Sequence, residues 1–199
     1  MRGLLIAFEG LDQSGKQTQA ENLAARLGSR GLRVETVSFP DYSTPIGAEI
    51  ARALAGEHEY SPAVMQLLYV ANRFEWKPRI TGWLEEGAIV LSDRYLASSI
   101  AYGETQGLDA RWLAEVQQPL PQPDLTILLD IAPATAVERK ALGRDRYERD
   151  LQLLARVRDS YRRQAAHPTW VRIDGEQERS RIAVAIDEAV ASALHIPVS

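Results

Sequence analysis

The sequence predicts an α/β protein, a P-loop kinase fold whose parallel sheet of about five strands carries helices on both faces. Three observations predict it: an apolar run that closes on a glycine-rich loop and opens a helical pattern, four further apolar β-type runs, and longer helical patterns between them. In such a sheet ligands gather at the carboxyl ends of the strands, so motifs at those ends carry extra weight.

The first run, Leu4-Leu5-Ile6-Ala7-Phe8, is apolar throughout, as a strand buried on both faces must be. It leads through Glu9 into Gly10-Leu11-Asp12-Gln13-Ser14-Gly15-Lys16-Gln17-Thr18. The spacing Gly10-x4-Gly15-Lys16 lets the backbone turn tightly, gathers N–H groups into one concavity and sets an ammonium beside them, which suits a polyphosphate. The string alone also fits a glycine-bearing turn that binds nothing; the order strand, glycine loop, helix is what favours a nucleoside triphosphate. That helix is expected over 18–30, with Leu23, Ala24 and Leu27 on one face.

Strands follow at 34–39, 88–92, 125–131 and 169–173. Thr44-Pro45 and Ser61-Pro62 each read as a helix entry, a hydroxyl cap followed by a proline whose missing N–H costs nothing in the first turn. Ile46, Ile50 and Leu54 give the first of these helices an apolar stripe. The second carries Met65, Leu68, Tyr69, Asn72, Arg73 and Trp76 along one side. Most of that stripe reads as core, but an arginine within it points to a ligand, because an unpaired buried guanidinium is costly. Tyr147, Leu151, Leu154, Val157 and Tyr161 mark another amphipathic helix, and Ile182, Ile186 and Val190 mark the last.

Asp93-Arg94-Tyr95 follows the third strand, so an acid and a base project toward the crevice of the glycine loop, where they suit magnesium and phosphate as well as a structural ion pair. Asp130 ends the fourth strand similarly, yet with Pro133 close behind it reads equally well as a helix cap and is set aside. Between 139 and 149 the chain has a local excess of three positive charges, from Arg139, Lys140, Arg144, Arg146 and Arg149 against Asp145 and Glu148. A solvated basic loop is one reading; with Gly143 inside it, a mobile lid that brings guanidinium groups onto phosphates is the other. His58, His167 and His195 lie in weak contexts and are assigned no chemistry.

The 199 residues suit a single domain, and 45% hydrophobic residues suffice for its core. A net charge of −4 argues against a general nucleic-acid binder. The absence of cysteine excludes disulfides and thiolate metal sites, and no apolar run approaches the roughly 18 residues of a membrane span. With no signal peptide before the first strand, a cytoplasmic protein is expected.

Taken together, the loop with its preceding Phe8-Glu9, the turn Phe39-Pro40-Asp41-Tyr42, Ala71-Asn72-Arg73, Asp93-Arg94-Tyr95 with Ser98 and Tyr102, Pro123-Asp124-Leu125 and the segment 143–148 resemble the thymidylate kinase family almost end to end. The resemblance implies transfer of the γ-phosphate of ATP to dTMP, magnesium as cofactor, and a homodimer. It further implies that Gly10, Leu11, Asp12 and the N–H groups from Gln13 through Ser14, Gly15, Lys16 and Gln17 to Thr18 hold the ATP phosphates, with Arg139 against the adenine. Arg144 and Arg146 would close over the transferring group as a lid of about 139–149. On the acceptor side, Phe39, Pro40 and Tyr42 would line the site, Tyr69 would stack on the base, Arg73 would donate to its carbonyl, and Ser98 and Ser99 would approach base or phosphate. Tyr102 would crowd the sugar 2′ position and Arg94 would clamp the acceptor phosphate. Asp12 and Glu9 would lie near the sugar 3′-hydroxyl and the metal, with Asp93 holding magnesium through water.

Three positions depart from that pattern. Gln17 replaces the serine or threonine that would ligate magnesium, Gln13 stands where some members carry a catalytic arginine, and Tyr42 stands where some have an arginine toward the acceptor phosphate. A kinase of another nucleoside monophosphate, a regulatory nucleotide-binding protein and a non-catalytic member remain the competing readings.

Overall fold

The computed structural model describes residues 2–139 and 151–194. In chain order these form β1 (Leu4–Glu9), α1 (Lys16–Ser29), β2 (Val34–Ser38), α2 (Pro45–Ala55), α3 (Pro62–Glu85), β3 (Ile89–Asp93), α4 (Leu96–Thr105), α5 (Ala110–Glu115), β4 (Leu125–Asp130), α6 (Pro133–Glu138), α7 (Leu151–Gln164), β5 (Trp170–Asp174) and α8 (Arg179–Leu194). The strands lie in the order β2-β3-β1-β4-β5, and every pair is parallel. The expected fold class is the observed one.

Strand β1 occupies the middle of the sheet, and its alternation feeds both faces. Ile6 and Phe8 pack with Ala20, Leu23 and Leu27 of α1 and Ile182, Ile186 and Val190 of α8, whereas Leu5 and Ala7 pack with Ile80 and Leu84 of α3. Full burial of such a side chain is worth about 1.5–3 kcal/mol, so β1 fixes the loop at its end firmly. A third cluster joins Ala97 and Ala101 of α4 to Leu154, Val157 and Tyr161 of α7, over Leu11 and Leu128.

Helix α1 begins at Lys16, two residues earlier than the periodicity placed it, because Gly15 at φ 91° turns the chain directly into the helix. Gly10, at φ 139°, passes so close to β4 that a Cβ there would stand 2.5 Å from the Leu129 carbonyl oxygen. Both expected hydroxyl caps are present: Thr44 Oγ1 accepts from Gly47 N at 3.1 Å and Ser61 Oγ from Val64 N at 3.4 Å. The strands run one residue out of the expected register at some ends; Phe39 lies just beyond β2, its N–H donating to Asp93 O at 3.0 Å.

Asp130 is not a helix cap. Ala132 occupies the N-cap of α6, while the buried Asp130 carboxylate pairs with Arg158 at 2.6 Å, Arg162 at 2.8 Å and Arg172 at 3.7 Å. Its work is to tie α7 and β5 to the end of β4. Of the expected lid, Arg139 is described; Arg144 and Arg146 lie outside the described residues.

Candidate functional site

Two cavities open at the carboxyl edge of the sheet. The first is a wide cleft over the glycine loop, lined by the residues from Asp12 to Gln19 together with Asp93, Arg94 and Arg139. Lys16, 5% exposed, folds back across the loop so that Nζ donates to Leu11 O at 2.8 Å and reaches Ser14 Oγ at 3.4 Å. As the first residues of α1, Lys16, Gln17 and Thr18 have N–H groups without intrahelical acceptors, and the helix dipole adds positive potential there. Loop, ammonium and dipole together form an anion site. The expected run of donors from Gln13 to Thr18 is interrupted at Ser14, whose N–H is already given to Leu11 O at 3.2 Å.

Gly10 and Leu11 do not line this cleft. Leu11 is buried under α4 and α7, and Gly10 supplies a carbonyl that accepts from Arg94 Nη1 at 3.4 Å. Arg139 bridges the glycine loop to the turn after β5, donating to Gln13 O at 3.4 Å and Gly175 O at 3.2 Å. Gln17 lines the cleft, and its Nε2 is bonded along α1 to Glu21 Oε1 at 2.9 Å.

Asp93 ends β3 beside this cleft with Oδ1 buried and without a hydrogen-bond partner. Burial raises its pKa above the usual carboxylate value, and the Lys16 ammonium pulls it part of the way back. An orphaned carboxylate oxygen next to a phosphate site fits a hard divalent cation, which takes oxygen ligands and keeps several waters. Among the described residues no group of three or more acids or histidines could form a metal cage, so a cation here would depend on phosphate oxygens and water as well.

The second cavity opens between the turn after β2 and helices α3 and α4. Phe39, Pro40, Tyr42, Tyr69, Arg73, Arg94, Ser98, Ser99, Tyr102 and Asp12 line it. The Phe39–Pro40 peptide is cis. Asn72 secures the turn after it: its Oδ1 accepts from Asp41 N at 2.8 Å and its Nδ2 donates to Thr44 Oγ1 at 2.8 Å, while Trp76 Nε1 holds the Asp41 carboxylate at 2.8 Å. Arg73 is 3% exposed and donates from Nη1 to Ser99 Oγ at 2.8 Å and Gln117 Oε1 at 3.1 Å, leaving Nε buried and unpartnered. Burial lowers its pKa, and the charge of Glu9 opposes that shift.

Arg94 stands in both cavities, as does Asp12, with which it forms an ion pair. It holds φ 61°, a region that costs a non-glycine residue energy and is kept by its surroundings: Arg94 N donates to Phe8 O at 2.9 Å and Arg94 O accepts from Ser92 Oγ at 2.5 Å. Glu9 does not line the second cavity. It is fully buried, accepting from Tyr95 N at 2.8 Å, Ser98 Oγ at 2.7 Å and Tyr161 Oη at 3.2 Å. The Glu9 carboxylate thus supports the residues around Arg94.

Sequence reasoning missed Leu54, Gln66 and Gln106 in the second cavity and Gln19, Gly175, Gln177, Glu178, Arg179 and Ile182 in the first. Gly175 was findable, as a turn residue at the carboxyl end of β5. Gln66 gave no signal among the apolar residues of its helix.

Comparison with known proteins gives concordant results. A family model described as thymidylate kinase matches residues 8–186. The thymidylate kinase of Schizosaccharomyces pombe is 37% identical over 81% of this chain and 77% of its own length. That of Homo sapiens is 36% identical over 74% of this chain and 70% of its own. The solved thymidylate kinase of Candida albicans superposes with a TM-score of 0.84, 31% identical, covering all of this chain and 96% of that one.

Proposed function

The chain belongs to the thymidylate kinase family, and on that premise we propose how its own residues carry the transfer of the γ-phosphate of ATP to dTMP, giving dTDP and ADP. One observation carries the assignment: Asp12 and Arg94 line both cavities at once, so a donor over the glycine loop and an acceptor beside Tyr69 meet at that shared wall.

ATP lies with its phosphates over Lys16 and the first N–H groups of α1, and with its base toward Arg139. The thymine ring stacks on Tyr69 while Arg73 donates to a ring carbonyl, Tyr102 faces the sugar, and Asp12 approaches the 3′-hydroxyl. No general base is needed, since a phosphate monoester with a second pKa of about 6 already presents a charged oxygen at pH 7. The difficulty is repulsion between two anions, which Lys16, Arg94 and the lid residues Arg144 and Arg146 reduce by placing positive charge around the transferring group. Magnesium, when bound, neutralises charge on the donor phosphates, and Asp93 would hold it through water. We assign the chain one kinase domain over 1–199 that works as a cytoplasmic homodimer; no described helix is long and apolar enough to cross a membrane.

The test is ADP release with ATP and magnesium while dTMP, dUMP, UMP, CMP, AMP and GMP are offered singly. Strong turnover with dTMP and weak turnover with dUMP is expected, because the thymine methyl is worth only about 1–3 kcal/mol. Preference for another acceptor would move the chain's substrate elsewhere among monophosphate kinases, and nucleotide binding without acceptor-dependent turnover would mark it as non-catalytic.

A further inference from the structure

The acceptor cavity contains a buried hydrogen-bond acceptor to which the reading above gives no work. Gln66 lines the cavity, is 2% exposed, and its Oε1 is buried with no partner. A buried carboxamide oxygen without a donor costs about 1–3 kcal/mol, so its retention calls for a ligand that supplies one. Its place on α3 is specific. Gln66, Tyr69 and Arg73 follow the i, i+3, i+7 spacing that puts residues on one helix face. A ring lying on Tyr69 thus has the carboxamide one turn before it and the guanidinium one turn after.

The two flanking groups are complementary. Arg73 has only donors, and its buried Nε is unpartnered; it can satisfy a ring carbonyl but never a ring N–H. A thymine edge presents a carbonyl beside the N3–H imide. Among the other acceptors nearby, Ser99 Oγ receives Arg73 Nη1 and Ser98 Oγ is engaged with Glu9 and Tyr161, whereas Gln66 Oε1 has no donor at all. Gln106, whose Oε1 is also buried and unpartnered, follows Tyr102 by one helical turn and so belongs to the sugar side of the cavity. Packing holds Gln66 in place, because its Cγ lies 3.5 Å from the point where a Cβ on Gly103 of α4 would stand.

We infer that Gln66 is a specificity-determining residue that accepts the N3–H of the thymine imide while Arg73 donates to the adjoining carbonyl. This rests on the dTMP reading of the cavity. The pair rejects cytosine twice over, since that base offers an amino donor to Arg73 and has no N3–H for Gln66.

The experiment measures dissociation constants of dTMP and N3-methyl-dTMP by calorimetry for the native protein and for Gln66→Met, an unbranched replacement of similar volume. The native protein should prefer dTMP by about tenfold or more, the equivalent of one net hydrogen bond, and Gln66→Met should lower that preference about tenfold by weakening dTMP alone. A native preference near unity overturns the assignment without any variant. An equal loss for both ligands reduces Gln66 to packing, and loss of the preference in Gln106→Met instead transfers the role to that residue. Failure of the native protein to bind dTMP at all is a separate outcome, which removes the dTMP reading and the Gln66 assignment with it.

Discussion

Asp12 and Arg94 are joined by an ion pair between the glycine loop and the end of β3, and each of the two lines both the phosphate cleft and the acceptor cavity. The pair is oriented from behind. Arg94 Nη1 donates to Gly10 O, to Ser98 Oγ at 3.3 Å and to Tyr161 Oη at 3.4 Å, so the guanidinium plane is set before any phosphate arrives.

Arg94→Lys keeps the charge but loses the planar fork that serves several acceptors together. We expect kcat/KM for dTMP to fall about 10²-fold with KM for ATP nearly unchanged, the scale seen when a single transition-state donor is removed. Steady-state kinetics in each substrate checks this; equal losses for ATP and dTMP would mean that Arg94 organises the whole edge of the sheet instead of the acceptor.

Asp93→Asn should trade function for stability. Burial holds the Asp93 carboxyl above its unfolded value. Between the two pKa values the folded protein keeps a proton that the unfolded chain has lost, so stability falls as pH rises through that window, and the charge is a standing cost at pH 7. Asparagine carries no such charge. The variant should melt above the native protein at pH 7, and the difference should vanish below the ordinary carboxylate range. Half-saturating magnesium should rise about 10- to 100-fold, as when a group supporting a metal through water is lost. A variant with native magnesium dependence would place the metal away from β3.

Tyr102 lies on α4 with its ring centroid 5.5 Å from Arg94 Cζ. Truncation by Tyr102→Ala should admit ribonucleotides, raising turnover of UMP relative to dUMP by about tenfold. If UMP and dUMP keep their native ratio, the 2′ position is policed by another group, and the ring serves to pack against Arg94.

The fold and much of the site were legible because their signals are local. A continuous apolar strand, two glycines with their backbone demands and two hydroxyl–proline caps each act within a few residues of themselves. What escaped is long-range. Glu9 sits next to the loop in sequence and resembles a substrate contact, yet its carboxylate is used by Ser98 and Tyr161, from helices far along the chain. Asp130 looked like a cap because Pro133 is close, whereas three arginines from α7 and β5 claim it. Gln66 was hidden for the opposite reason: nothing near it in sequence distinguishes a polar residue facing a cavity from one facing solvent.

The lid arginines lie outside the described residues, so their division of labour rests on the sequence. Gln13 has no charge to contribute from the glycine loop, and on the proposed reading Arg144 and Arg146 join Lys16 and Arg94 around the transferring phosphoryl group. An arginine in that role is worth roughly 10³–10⁵ in rate. Arg146→Ala should therefore lower kcat by about 10³-fold while dTMP affinity changes little. Single-turnover kinetics checks this; an unchanged kcat would pass the role to Arg144, to be checked in the same way on Arg144→Ala.

Tyr161 connects α7 to this chemistry from below. It is 1% exposed, and burial raises its pKa well above the ordinary value, so the hydroxyl stays protonated and donates to Glu9 Oε2 while lying 2.8 Å from Ser98 Oγ. Tyr161→Phe leaves the ring and its packing in place and removes only this contact. The Glu9 carboxylate loses one donor in a buried setting, which costs about 1–3 kcal/mol and should lower the melting temperature by several degrees. Arg94 loses one of its rear acceptors in the same step, so KM for dTMP should rise severalfold while KM for ATP holds. A fall in stability with both KM values unchanged would confine Tyr161 to the core, and would show that Ser98 and the Gly10 carbonyl suffice to orient Arg94.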